Sequence, residues 1–132
     1  MPRPTAPQTF AAGTTSGGVT NFTRQPSYYD WLEPPTVGRT DGGAVANGLP
    51  GVVLIWRTLK PTEWDELINH YNQAVAQAHY YYLRYWDETA SSGAGAYSTV
   101  KCGLWMRPVA DRDATSPNYH NVRMTFRSLG MA

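Results

Sequence analysis

Three histidines, one cysteine and a scatter of carboxylates are the residues here that could do acid–base, nucleophilic or metal chemistry. His70 and His79 stand nine residues apart, so one helix would turn them to opposite faces. No His-Glu-x-x-His pattern places them, or His120, around a metal ion. Cys102 alternates with Val100, Leu104 and Met106, the spacing of one strand face, and reads as a small buried hydrophobe. A nucleophilic thiol needs exposure and a neighbouring base, and neither is visible around it. One cysteine also excludes an intramolecular disulfide and a thiolate zinc site, and it fits folding in a reducing cytoplasm. The acids Asp87-Glu88 and Asp111/Asp113 fall in predicted loops, where carboxylates usually face water. The glycine-containing stretches 42–43 and 93–95 (Gly93-Ala94-Gly95) lack the Lys-Ser/Thr of a phosphate loop and match no dinucleotide fingerprint. The expectation is a non-enzymatic protein with no cofactor and no metal.

A different chemistry, that of contact, is heavily represented. Tyr28, Tyr29, Trp31, Tyr80, Tyr81, Tyr82, Trp86, Tyr97 and Trp105 are too many for so small a core. Tyr and Trp gather where an apolar surface meets a polar edge, as in protein contacts or sugar-stacking platforms. A core with amphipathic edges is the plainer alternative. Arg123 and Arg127 alternate outward on the last predicted strand, and Arg84, Lys101 and Arg107 also lie on strands. The candidate assembly contacts are Phe10, Tyr28, Tyr29, Trp31, Tyr80, Tyr82, Trp86, Arg123 and Arg127.

The elements that must position these residues centre on 51–86. Gly51 to Leu59 is an apolar, β-branched run covered on both faces, which predicts a central strand. Pro61 suits a first helical turn, and Glu63, Asp65 and Glu66 suit its positive end. Trp64, Leu67, Ile68, Tyr71 and Val75 recur at helical spacing, so a helix over about 61–76 should lie across the sheet. His79 to Trp86 predicts an aromatic strand, with Tyr81, Leu83 and Tyr85 on one face. Tyr97 to Pro108 follows as a strand with Val100, Cys102, Leu104 and Met106 inward. Residues 110–118 read as a polar loop. Tyr119 to Leu129 closes the chain with Val122, Met124 and Phe126 inward. Short loops predict an antiparallel meander for the last three strands.

Before residue 50 the chain is organised differently. The first 48 residues hold six of the ten prolines and seven of the twelve glycines. Residues 1–20 read as a flexible arm with Phe10 its one anchor, or as a plain frayed terminus. Residues 19–24 form a candidate first strand that Pro26 stops. The stretch 26–50 reads as a long loop, uncommon in a compact domain unless it binds something. The predicted fold is mainly β: an antiparallel sandwich or barrel over 21–132 with one flanking helix and an extended N-terminal arm. Deleting residues 1–20 should leave that fold intact.

Composition narrows the function further. The 132 residues suffice for one domain with a real core. Only 16% are charged, against roughly 25% in typical soluble domains. A net charge of +1 without a basic cluster argues against specific nucleic-acid binding. No run of 18 apolar residues suggests a membrane helix, and Met1-Pro2-Arg3-Pro4 does not begin a signal peptide.

Residues 50–130 resemble the small tail and neck structural proteins of long-tailed bacteriophages. The likeness rests on the strand ending Trp56-Arg57-Thr58-Leu59, on Lys60-Pro61-Thr62-Glu63-Trp64-Asp65-Glu66-Leu67 after it, and on the closing strand Tyr119 to Leu129. Such proteins commonly run a strand into a helix opening Leu-Thr-Pro-Glu-Glu and end on a Tyr-x-x-Val-x-Val-x-Phe-x-x-Leu strand. Lys60 replaces the usual Thr at the cap, which weakens it. The resemblance implies a β-sandwich or barrel, rings stacked in or on a tube, and arms and loops bridging subunits. It implies no catalysis and no cofactor. The partners expected are copies of the chain and neighbouring virion proteins, with no membrane and a virion location. Tube, terminator, baseplate and capsid decoration stay open, and a small carbohydrate-binding module is the rival reading.

Overall fold

The computed structural model describes residues 9–33, 36–38, 44–46, 50–87, 96–112 and 114–130. The fold is mainly β: two four-stranded antiparallel sheets packed together, with a single helix among the described residues. Strand β6 (Gly51–Leu59) is central, as its two-sided apolar pattern predicts. It pairs with β3 (Tyr28–Leu32) on one side and β10 (Tyr119–Phe126) on the other, and β9 (Val109–Arg112) extends the sheet beyond β10. The second sheet runs β2 (Thr20–Asn21), β1 (Ala11–Gly13), β7 (Tyr80–Asp87) and β8 (Ala96–Gly103). Apart from these, β4 (Thr36–Gly38) and β5 (Ala44–Ala46) form a two-stranded hairpin.

Between the sheets, alternate residues make the core. Val52, Leu54 and Trp56 of β6 and Val122, Met124 and Phe126 of β10 meet Tyr81 and Leu83 of β7 and Cys102 of β8. The inward sets on β10 and β7 follow the strand alternation. Helix α1 (Pro61–Ala76) connects one sheet to the other. It touches both β7 and β10, with Trp64 against Tyr119 and His70 against Tyr81. Its buried residues are Trp64, Leu67, His70 and Ala74, whereas Val75 is exposed. The apolar stripe is thus rotated toward His70. At its start the Lys60 side chain caps nothing, but Glu63 accepts a hydrogen bond from the Lys60 backbone N–H at 3.0 Å. That is the carboxylate half of a capping box. At its end the His79 N–H reaches the Ala74 carbonyl (2.7 Å) and the Ala78 N–H that of Val75 (3.2 Å). This is a Schellman closure made without glycine, with Ala78 and His79 both left-handed (φ 57° and 68°).

Several expectations are corrected. The arm over 1–20 is not free along its length: Ala11–Gly13 pair with β7, and Phe10 is 1% exposed in the core. Residues 1–8 lie outside the described residues. Small side chains let β1 nest against its neighbours, and a Cβ at Gly13 would collide with the Gly18 carbonyl of the turn that follows. The first strand expected over 19–24 shrinks to Thr20–Asn21, beyond which the Phe22 N–H makes one long bond to the Phe10 carbonyl (3.4 Å) and its ring is buried in the core. The stretch 26–50 holds β3, β4 and β5, so it is no structureless loop, although 34–35, 39–43 and 47–49 lie outside the described residues. The last three strands do not form a meander. β7 and β8 are a hairpin, but β10 joins the other sheet between β6 and β9. The crossing falls at 104–108, which leaves Met106 53% exposed, not inward. Residues 110–112 of the expected polar loop belong to strand β9.

Candidate interaction surfaces

The register of β7 and β8 puts Tyr80, Tyr82, Arg84 and Trp86 on the same outward face as Tyr97, Thr99 and Lys101. Tyr80 is 47% exposed and Tyr97 44%. Cations and rings interleave: Lys101 Nζ lies 4.6 Å from the Tyr80 ring centre, and the Arg84 guanidinium 5.4 Å from that of Tyr97. Trp86 meets Tyr97 edge to face at 5.2 Å. Across the sheet Arg84 Nη2 donates to Asn21 Oδ1 at 2.6 Å, while its buried Nε has no hydrogen-bond partner among the described residues. Three expected contact residues, Tyr80, Tyr82 and Trp86, are therefore brought together on one face.

The remaining candidates separate. Tyr29 and Trp31 stand opposite Leu54 and Val52, on the core side of β3. Tyr29 packs edge to face on Phe10 (5.2 Å) and Trp31 on Tyr85 of the facing sheet (5.2 Å). Phe10, Tyr29 and Trp31 thus knit the two sheets together at their margin. Tyr28 faces out, 45% exposed, with the Arg57 guanidinium 5.8 Å from its ring centre. Arg123 and Arg127 are exposed, and the Arg127 backbone bridges to Gly103. No flat row of parallel rings arises from these residues: the Trp86–Tyr97 and Trp31–Tyr85 planes cross at 83° and 67°.

The residues with chemical potential are held inside or engaged. His70 is buried, with Nδ1 hydrogen-bonded to the Tyr81 hydroxyl, which donates to Gln73 Oε1 at 2.9 Å. Phe22 packs edge to face on the His70 ring at 5.2 Å. Burial lowers the His70 pKa, against a raising pull from Glu66, so the ring is neutral near pH 7. Burial likewise raises the Tyr81 hydroxyl far above its usual value and pushes the Cys102 thiol up to about 12. Cys102 is 0% exposed, which leaves an attacking reagent no approach. His79 Nδ1 sits 3.1 Å from the Leu104 carbonyl, and His120 Nδ1 3.4 Å from the Thr58 hydroxyl. Asp111 accepts from Asn121 Nδ2 at 3.1 Å, while Glu88 and Asp113 lie outside the described residues. Among the described residues no three His, Cys, Asp or Glu side chains cluster as metal ligands would.

One arrangement went unforeseen. Trp64 of α1 stacks flat on Tyr119 of β10, centres 4.5 Å apart and planes 8° off parallel. Arg107 lies 5.9 Å from the Trp64 ring and Arg112 4.2 Å from the Tyr119 ring. A cleft of about 360 Å³ opens beside them, lined also by Pro108, Val109 and Ala110. Sequence spacing could not join residues from a helix, a crossing segment and two strands.

Family models, curated proteins and solved structures were compared with the chain, and none matches it. No helix among the described residues is long and apolar enough to cross a membrane.

Proposed function

We propose that this chain is a non-enzymatic structural subunit that works by assembling with copies of itself and with neighbouring proteins. On the pattern of residues 50–130, we place that assembly in a bacteriophage virion, at its tail. One observation carries the assembly reading: the outward face of β7 and β8 presents exposed Tyr80 and Tyr97 beside Lys101 and Arg84. Tyr and Arg are over-represented at the centres of protein interfaces, and stacked cations lose little freedom on contact. The low charge and the burial of His70 and Cys102 support the same reading. A sugar-stacking module is less well supported, because its rings should lie coplanar and those of Trp86 and Tyr97 cross at 83°.

The test is mass in solution across concentration, with negative-stain microscopy of the same samples. Oligomers, rings or tubes are the expected result. A strict monomer with no particles, also when mixed with virion extracts, would sink the proposal. Retention on a glycan array would then move the chain to the binding-module class.

A further inference from the structure

Strand β8 closes its sheet with an edge of known polarity. Gly103 exchanges both backbone hydrogen bonds with Arg127 (2.8 and 2.9 Å), so its N–H and C=O point away from β7. The Lys101 carbonyl accepts from the Gly130 N–H at 2.9 Å, so it points the same way. The β7–β8 register runs without a bulge from Tyr80↔Gly103 to Asp87↔Ala96. Antiparallel pairs alternate strictly between bonded and non-bonded. Tyr97 and Thr99 must therefore also aim their N–H and C=O groups outward. Segment 127–130 covers the edge as far as Lys101, and no described residue covers it beyond.

Such an edge invites another strand. The other edges are poorer: β2 has two residues, β9 has four with charged Asp111 and Arg112, and β3 has five and follows Pro26. β8 has eight, with Lys101 its one charge, and that ammonium is laid over Tyr80 of its own sheet.

We infer that β8 pairs antiparallel with β8 of a second copy, about a twofold axis through Ser98, joining two four-stranded sheets into one of eight strands. This deepens the assembly reading and rests on it. In that register Tyr97 stands opposite the partner's Thr99 and the reverse. All four open backbone groups of each copy are then satisfied. Each partner strand begins at Ala96 opposite Val100, one residue short of the edge that Gly130 occupies. A register one residue pair further along would drive the partner chain into 127–130. On the outward face Tyr97 meets a β-branched Thr99, a favourable cross-strand pair, and the two Lys101 side chains stay apart. The seam is self-complementary, as an isologous contact must be.

The test uses the full chain. Sedimentation velocity across concentration gives the association constant of the wild type and of Thr99→Pro. Proline at 99 removes an outward N–H only, so the β7–β8 ladder keeps its bonds. Association should weaken about tenfold or more, with an unchanged circular dichroism spectrum. Independently, Ser98→Cys should form a covalent dimer under mild oxidation, because facing non-bonded residues lie about 4.5 Å apart at Cα, within disulfide range. Ser16→Cys, on an exposed turn, should not, and buried Cys102 stays out of the exchange. If Thr99→Pro misfolds, the Ser98→Cys cross-link decides alone. Wild-type oligomers without that cross-link overturn the β8 seam and leave the assembly reading standing. A wild-type monomer at every concentration overturns the β8 seam, and a chain that also stays monomeric in virion extracts overturns both.

Discussion

The interior between helix and sheet and the outward face of β7–β8 use the same residue types to opposite ends. Inside, His70 of α1 and Tyr81 are hydrogen-bonded to each other, and the Tyr81 hydroxyl reaches on to Gln73 at the surface. Outside, Tyr80 and Tyr97 are open to solvent, with the half-buried Lys101 and Arg84 laid over their rings. Adjacent residues of one strand, Tyr80 and Tyr81, belong to the two worlds. What a tyrosine does here is decided by strand parity. The inner set is fixed by partners that must be satisfied in the dry core. The outer set is held by ring and cation contacts and by the Arg84–Asn21 hydrogen bond, and a second protein surface can replace or extend the ring contacts.

The sharpest break in that comparison comes from the core margin. Phe10→Ala should cost about 3–5 kcal/mol, because it removes a fully buried ring packed on Tyr29 and leaves a cavity. Urea unfolding measures this. A loss under about 1 kcal/mol would return Phe10 to a loose arm and make the interior smaller than described.

A pH titration sharpens the interior side. His70 has a lowered folded pKa, so its neutral form is the one the fold accommodates. The unfolded chain binds the proton more readily as pH falls below the ordinary value of 6.5. Stability from this group is therefore full above about that pH and declines below it until the folded ring also protonates. Stability measured from pH 7.5 to 5 should fall, and His70→Gln should flatten the slope while lowering stability overall. An equal slope in both proteins would assign the effect elsewhere.

The outward face should behave in the reverse way. Tyr80→Ala or Tyr97→Ala should move stability by about 1 kcal/mol or less, since each residue is nearly half exposed and its ring contacts are worth little alone. Self-association should fall more than stability does. If melting drops by as much as for Phe10→Ala, the face is structural and the contrast collapses.

How far the sequence discloses this division depends on how local each signal is. β6, α1 and the inward set of β10 declare themselves by periodicity, because Val52, Leu54, Trp56, Val122, Met124 and Phe126 are apolar at every second place. β1 does not: Ala11-Ala12-Gly13 carries no strand propensity, and only pairing with β7 makes it a strand. β9 hides in a charged stretch for the same reason, and β3 behind prolines. Tyr80 and Tyr82 are legible as outward partners from alternation alone. Tyr29 and Trp31 are not, because which side of β3 faces the core depends on its register with β6. The Trp64–Tyr119 stack needs the helix docked on β10 before it exists.

A smaller effect tests how the helix hands the chain to β7, the strand that separates inside from outside. Ala78 and His79 both adopt left-handed backbone. Glycine carries no Cβ penalty there. Ala78→Gly should raise stability by about 0.5–1 kcal/mol in urea unfolding, despite the greater freedom it gives the unfolded chain. A destabilised variant would mean that the exposed Ala78 methyl contributes contacts outweighing its strain.

The smallest expected effect lies at the Arg112–Tyr119 contact, where an exposed cation sits 4.2 Å from a ring that is itself stacked on Trp64. Arg112→Ala, Tyr119→Leu and the double variant form a cycle whose coupling should be about 0.5–1 kcal/mol, the range for partly exposed cation–ring pairs. This contact resembles those of the outward face in kind but is anchored to the helix on its far side. A coupling near zero would show that cations over rings are dispensable ornaments throughout the molecule. The same contacts on β7 and β8 would then be free to rearrange when a partner docks. A coupling above about 1 kcal/mol would mean the guanidinium is part of what fastens α1 to the sandwich.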